Sequence, residues 1–314
     1  MGGFIINDKV SIVLLNWNGH EDTVECLKSL INLNYQYFDI YLVDNDSEKS
    51  SIDYIGNYLN NQNYYSFDTI DASLLDDYIK EDNINLLFIL NDNNAGFAGG
   101  NNVALEYLIN NKLSDYVLLL NNDTVVSEDF LDALLDKIKQ DDDIGFVGCT
   151  HYYYDNPESM QTVGGGCVDL VHGECSAVRD KTAVEDYDFI TGSCILMSIG
   201  VLRDLGVMDT DYFMYWEDVD WSTCAREKSY KLKVSDYGCI YHKEGSSIKS
   251  LNRIYYHTRN RILYMKRHTT GLIYYKFLIY ILCYVGKESF FNIVKDYEYS
   301  KTLIKALISG IKAK

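Results

Sequence analysis

Residues 10–148 alternate short apolar runs with amphipathic stretches, and this alternation restricts the architecture more than any other feature of the chain. The runs at 10–15, 40–43, 86–90 and 116–120 are rich in branched residues and have the length of strands buried on both faces. Helical spacing follows each of them, at 22–30, through Ile52, Ile55 and Leu59, from about 100 to 109, and across Phe130, Leu134, Leu135 and Ile138. A last run stands at 144–147. This order predicts an α/β fold with a mostly parallel, Rossmann-like sheet flanked by helices. A polar, acidic insert at 61–83 is expected to carry only a short surface helix around 74–79.

Beyond residue 150 the pattern changes to short strands and glycine turns. A strand at 189–197 is interrupted near Gly192, a helix is expected at 218–227, and two short strands within 232–241. After about residue 248 the chain reads as helical. Its middle, 272–285, is apolar on all sides except at Lys276. That is short of the roughly 20 residues of a membrane span, so a buried or membrane-surface helix is expected.

The strands end in polar residues. The run at 116–120 stops at Asn121-Asn122-Asp123, the first strand at Asn16-Trp17-Asn18-Gly19, and the second at Asp44-Asn45-Asp46-Ser47. Open α/β sheets bind ligands at the carboxyl ends of their strands. An Asp with amide oxygens beside it can seat a hard divalent cation, although Asn122 and Asp123 also suit a plain turn. After the third strand, Asn94-Ala95-Gly96-Phe97-Ala98-Gly99-Gly100-Asn101 could bring backbone N–H groups to an anion at a helix start, or simply turn the chain. Its spacing is not the dinucleotide fingerprint G-x-G-x-x-G, which disfavours a nicotinamide oxidoreductase. In Trp216-Glu217-Asp218-Val219-Asp220-Trp221, three carboxylates within four positions exceed what a helix start needs. One could act as a general base, and a tryptophan could stack on a sugar. His242 alone reads as an ordinary polar residue.

Charge is unevenly spread. Residues 1–242 carry 14 Lys and Arg against 42 Asp and Glu, whereas residues 243–314 carry 14 against 4. The acidic body argues against nucleic acid as a partner. The basic tail, interleaved with Tyr255, Tyr256, Tyr264, Tyr274 and Tyr275, suits either an anionic membrane surface or the acidic body itself. Eight cysteines without a C-x-x-C pair, and no signal peptide, make a reducing cytoplasm the expected setting.

Taken in order, these motifs resemble the inverting family 2 glycosyltransferases of the GT-A fold, in particular rhamnosyltransferase-like and galactofuranosyltransferase-like members. The likeness runs over residues 9–268 and includes Val13–Gly19, Val43-Asp44-Asn45, the Asn94–Asn101 segment, Leu120–Asp123, Thr191-Gly192, Trp216–Asp220 and Arg259-Asn260-Arg261. It implies a glycosyltransferase domain over 1–248, with a donor half at about 9–148 and a smaller mixed-strand acceptor half at about 149–248. A helical extension follows at 249–314. The donor implied is a UDP- or dTDP-linked sugar, held by Asn16, Asn18, Asp44, Asn45, Asn94, Gly96, Phe97, Ala98, Gly100, Asn101, Asn121 and Asn122. Asp123 and His242 would hold Mn2+ or Mg2+. Asn121 stands where the family's metal motif has its first acid, which leaves less charge for that ion. Asp218 corresponds to the catalytic base, with Glu217 beside it, and Gly192, Trp216 and Trp221 fall on the acceptor side. The acceptor implied is a hydroxyl of a glycan or lipid-linked glycan, in cell-surface polysaccharide biosynthesis at the inner face of the membrane. A sugar-1-phosphate nucleotidylyltransferase would want a basic loop after the first strand, where this chain has none. A non-catalytic carbohydrate- or nucleotide-binding module is the remaining alternative.

Overall fold

The structure, a computed structural model, describes residues 8–180, 186–243 and 251–313. Residues 244–250, with Lys249 of the basic tail, lie outside the described residues. The first part of the chain runs β1 (Val10–Asn16), α1 (His20–Leu30), β2 (Phe38–Asp44), α2 (Lys49–Asn60), β3 (Phe67–Asp71), β4 (Leu86–Leu90), α3 (Gly96–Asn111), β5 (Tyr116–Asn121), β6 (Thr124–Val126), α4 (Phe130–Ile138) and β7 (Ile144–Tyr153). The part expected to form the acceptor half adds β8 (Asn156–Thr162), β9 (Gly165–Asp169), β10 (Glu174–Ala177), β11 (Phe189–Ile190), β12 (Cys194–Ser198), α5 (Ile199–Leu205), α6 (Glu217–Glu227) and β13 (Lys231–His242). Three helices close the chain: α7 (Leu251–His268), α8 (Gly271–Asn292) and α9 (Tyr297–Lys312).

The main sheet has the order β3-β4-β2-β1-β5-β12-β7-β13-β6, with β8 added to β7, and β9–β11 form a small second sheet. Strands β3, β4, β2, β1 and β5 are parallel, and β12 enters antiparallel to β5. Alternate residues of β1 serve opposite cores. Ile12 and Leu14 pack with Leu27 and Leu134 on one side, and Val13 with Leu105, Phe146 and Trp221 on the other. Burial on both faces is what the unbroken apolar runs require. A third core joins Phe189, Trp216 and Val219 to Ile262, Met265, Phe277, Ile281 and Leu303, so the C-terminal helices seal the acceptor half.

Three local expectations need correction. The insert contributes β3, a parallel edge strand too polar to show as an apolar run, before a 3-10 turn at Ala72–Asp77. The two short strands expected within 232–241 are one strand, β13, with a bulge between Val234 and Cys239 where Gly238 takes φ +67°. Helix α3 begins at Gly96, a full turn earlier than expected.

The basic tail folds back on the acidic body. Lys243 meets Asp22 at 2.6 Å and also Glu25, Arg261 meets Glu174 at 3.1 Å, and Arg267 holds both Asp209 and Asp211. What α8 leaves outside is apolar: Phe277, Ile281 and Val285 are buried, whereas Leu272, Tyr275, Ile279, Leu282 and Phe290 line the opposite face in solvent. No helix among the described residues is long and apolar enough to cross a membrane.

Candidate active site

Strand order reverses at β1, with β2 on one side and β5 on the other, so the crevice beyond their carboxyl ends is where such a sheet binds ligands. Register places Asn16 opposite Asp44, and Leu15 opposite Asn121. Asn16 is wholly buried and acts as a hub. Its amide nitrogen donates to Asp44 Oδ2 at 2.6 Å, and its oxygen accepts from Gly19 N–H and the Thr23 hydroxyl. The other oxygen of Asp44 accepts from Ser47 N–H at 2.8 Å. Asn45 in turn braces the next loop, accepting from Asn91 and Ala95 and donating to Asn94 and to the Gly96 carbonyl.

Asn16, Asp44, Asn45 and Asn101 are each at most 2% exposed, and Gly100 is buried where a Cβ would lie 2.6 Å from Leu15. These residues stand behind the exposed turns at the strand ends. Asn18, Trp17 and Asp46 face solvent there, Asn18 and Asp46 in the left-handed region that turn residues adopt. Trp17, 57% exposed, is the aromatic surface that the reading of the tryptophans passed over.

The glycine segment is also different from a phosphate cradle. Gly96 N–H is held by Asn94 at 2.9 Å, and the N–H groups of Phe97 and Ala98 both point at the Phe213 carbonyl, at 2.6 and 3.3 Å. The first donors of α3 are therefore occupied, and that helix start offers an anion little. Gly96 is required here, since its φ is +75° and a Cβ would stand 2.3 Å from the Phe213 oxygen.

At the end of β5 the chain does turn at Asn122 and Asp123, into β6. Asn122 donates to Thr23 at 2.8 Å, tying the turn to α1. Asp123 does more than turn the chain. Its Oδ1 is buried without a hydrogen-bond partner and lies 3.3 Å from His242 Nε2. His242 Nδ1 is 3.0 Å from Gln161 Oε1. With that amide assigned as an acceptor, Nδ1 carries the proton and the Nε2 lone pair faces the carboxylate. Two electron-rich atoms meeting in a partly buried site suit a shared cation, so the donor set fits a divalent metal. Behind it, burial and then His242 push the buried His151 down to about 3, so it stays neutral.

The acidic cluster at α6 separates into three roles. Asp218 accepts from Gly192 N–H at 2.8 Å and from Val219 N–H at 2.9 Å. Asp220 is buried and takes the Tyr212 hydroxyl at 2.7 Å and His268 Nε2 at 2.8 Å, a brace between α6 and the end of α7. Glu217 is buried with Oε2 unpartnered. Burial raises the carboxyls of both Glu217 and Asp218, and for Glu217 the charge of Asp218 adds to this. Trp221 does not belong to a ligand site: it is 2% exposed, stacks near Phe146 and donates to the Gly206 carbonyl.

Glu217 gives a stability prediction. A carboxyl whose folded pKa lies above its unfolded one loses stability as pH rises through that interval. Glu217→Gln should therefore leave stability unchanged near pH 4 and raise it toward pH 8. Each tenfold change in ionisation is about 1.4 kcal/mol, and each kcal/mol is roughly 2–4 °C in a protein of this size. Thermal unfolding of both proteins across that pH range measures it, and an equal or lower Tm for the variant at pH 8 contradicts the account.

The loop before α6 is strained. Phe213, Tyr215 and Trp216 all have positive φ, at 62°, 67° and 78°, a costly backbone state that clusters at functional sites. Asn260 of α7 holds it, its fully buried amide nitrogen reaching the carbonyls of Tyr212, Met214 and Tyr215 at 2.7, 2.9 and 2.8 Å. No role was expected for Asn260, although it stands inside the Arg259-Asn260-Arg261 stretch. Gln161 and His151 carried no sequence signal.

One chain of contacts connects the three distant carboxylates. It runs from Asp44 to Asn16 to Asn122 and Asp123, then to His242, whose ring is 6.0 Å from His151. His151 faces the hydroxyls of Thr191 and Ser193 at 3.4 Å, and the Gly192 between them holds Asp218.

Known proteins share this fold. The model of "Glycosyl transferase family 2" matches residues 11–206, and that of "Glycosyl transferase family group 2" matches 116–306. A curated relative, the low-salt glycan biosynthesis hexosyltransferase Agl10 of Haloferax volcanii, is 22% identical over 261 residues, 82% of this chain and 75% of its own. Among solved structures, the mannosyltransferase PcManGT of Pyrobaculum calidifontis in complex with GDP-Man and Mn2+ superposes with TM-score 0.59 at 13% identity, over 99% of this chain and 77% of its own. TarS 1–349 of S. aureus in complex with UDP-GlcNAc does so with TM-score 0.55 at 16% identity, over 97% and 81%. The fold is that of the GT-A glycosyltransferases, as the motif order implied.

Proposed function

Because the chain belongs to glycosyl transferase family 2, we propose that it moves a hexose from a nucleoside-diphosphate donor to a hydroxyl of a glycan acceptor, in one displacement that inverts the anomeric carbon. The observation that carries this reading is the joining of Asp218, through Gly192 and the His151 hydroxyl contacts, to the Asp123–His242 pair. Asp218 takes the proton of the acceptor hydroxyl, and its two backbone hydrogen bonds, one to each oxygen, orient the carboxylate that does so. Burial raises its basicity toward that task. Asp123 Oδ1 and His242 Nε2 would hold a divalent metal, which when bound supplies charge neutralisation for the leaving diphosphate. The nucleoside lies against the exposed turn residues Trp17, Asn18 and Asp46, on strand ends that the buried Asn16–Asp44 hydrogen bond ties together. The motif order supports a rhamnosyltransferase-like or galactofuranosyltransferase-like specificity with a UDP- or dTDP-linked donor. The Mn2+ and GDP-Man of the Pyrobaculum neighbour support a metal and a nucleotide sugar of this general kind.

A thermal-shift screen of UDP-, dTDP- and GDP-sugars, each with and without Mn2+, tests this, because ligand binding raises apparent stability. At least one donor should raise the Tm with Mn2+ present, by a few degrees at a hundredfold excess over Kd. His242→Ala should lose the metal-dependent part. A flat response to every donor in both conditions removes the proposal.

The glycan is anchored to a lipid surface in this reading, and α8 is the contact. Leu272, Tyr275, Ile279, Leu282 and Phe290 form an exposed apolar stripe about 30 Å long at 1.5 Å per residue, with Lys276 and Lys287 on the same helix. Such a helix lies in the interface plane. Lys243, Arg261 and Arg267 are engaged by the protein's own acids, so the attraction resides in this stripe and the lysines beside it. Co-sedimentation with anionic liposomes should fall severalfold in Ile279→Glu/Phe290→Glu, and unchanged sedimentation contradicts the assignment.

A further inference from the structure

A cavity of about 500 Å³ separates the start of α6 from the C-terminal helices, with β10 as its third wall. Arg253, His257 and Arg261 of α7 line it together with Trp216, and its one acid, Glu174, is paired with Arg261. Two of its donors are unfinished: Trp216 Nε1–H, on a side chain 4% exposed, and Arg261 Nε–H are buried without a hydrogen-bond partner. Buried polar groups in a native protein find partners, so a wall carrying two orphan donors is one that a ligand's oxygens complete. The rest of Arg261 is already fixed, by the His172 carbonyl at 2.6 Å, by Glu174 at 3.1 Å, and over the rings of Tyr280 and Tyr284. That bracing presents its remaining N–H in one direction. Burial and the two guanidinium charges push His257 down to about 4, so it is neutral and can accept or donate. The cavity is also next to the chemistry. Trp216 stands two residues before Asp218, whose charge reaches the thiol of Cys175 in the same wall.

We propose that this cavity is a subsite for a phosphoryl group carried by the acceptor, a reading that rests on the glycosyltransferase function above. Phosphate fits the donors better than a carboxylate does, because its tetrahedral oxygens can serve separated N–H groups and guanidinium forks at once. The donor's own phosphates are assigned above to Asp123 and His242, which the contact chain separates from Asp218 by His151 and the Thr191–Ser193 segment. The cavity is larger than a phosphoryl group alone needs, leaving room for the residue it is esterified to.

The test uses full-length protein labelled with 15N at tryptophan, with UDP and Mn2+ saturating the donor site. Three indole N–H signals are expected, and Trp216→Phe assigns one of them. Methyl phosphate should move the Trp216 signal saturably while leaving those of Trp17 and Trp221 in place, and Arg261→Gln should weaken that response at least tenfold. Arg253→Gln, on an exposed side chain, is the second variant should Arg261→Gln not fold. Geranyl phosphate binding more tightly than glucose 6-phosphate identifies a lipid-borne phosphate, and the reverse a phosphorylated sugar. No movement of Trp216 with any phosphate ester, or a stronger response to glucuronate, overturns the subsite. Sugar-nucleotide binding in the same samples separates the two readings. A protein that binds donor but leaves Trp216 silent loses only the subsite, and one that responds to phosphate but binds no donor loses the assignment to an acceptor.

Discussion

Asp218→Asn is expected to slow sugar transfer by about 10²–10⁴-fold, the usual contribution of a positioned general base, while the donor binds as before. The substitution is nearly isosteric, and the amide oxygen can still accept one of the two bonds that Gly192 and Val219 N–H make to the separate carboxylate oxygens, so the side chain keeps its place. What disappears is a group able to carry a proton away. In the parent protein the rate should climb with pH through a value above the usual carboxylate range, since burial raises this carboxyl and only its ionised form acts as a base. The residual rate of the variant should lack that limb. Donor affinity by calorimetry and initial rates across pH 4–8 check both halves. Equal turnover in the two proteins removes Asp218 from the chemistry.

The second large effect is expected far from any ligand. Asn260→Ala withdraws one amide nitrogen from three carbonyls of a loop whose φ angles are already unfavourable. Each lost hydrogen bond is worth about 1 kcal/mol, and leaving buried carbonyls unpaired adds to that. We expect a fall in kcat of about tenfold to a hundredfold with KM for the donor little changed, because the loop aims Asp218 and not the nucleotide. Asn260→Asp is the informative control. It keeps the shape and removes the donor, so it should be at least as impaired as the alanine variant. If Asn260→Asp retains full activity, Asn260 acts by packing alone and the clamp is wrong.

Much of the donor half was legible because its signals are local. Unbroken runs such as 116–120 can only be buried strands, and the polar residues that end them fall at one edge of the sheet by topology. The mixed acceptor half was read only in outline, since β13 pairs across a bulge that Gly238 permits and periodicity cannot show. Errors at the site share one cause, which is that residue type does not reveal which neighbour has claimed a polar atom. Asp44 has the chemistry to greet a nucleobase, but Asn16, 28 positions earlier, holds it. The N–H groups at the start of α3 suit an anion, but a carbonyl 116 residues later occupies them. Trp216 precedes and Trp221 follows the same acids, and helical phase sends the two into different cores. Asn260 went unassigned because its partners are backbone atoms, which leave no mark in a sequence.

The bond from Phe97 N–H to the Phe213 carbonyl has an evolutionary corollary. It welds the start of α3 to the strained loop that precedes Asp218, and Gly96 is needed for the two to come so close. Recombining the first 150 residues of this protein with the remainder of a sibling would split that weld. New specificities in this lineage should therefore arise by drift in the exposed turns around Trp17 and Asp46, and seldom by shuffling of halves.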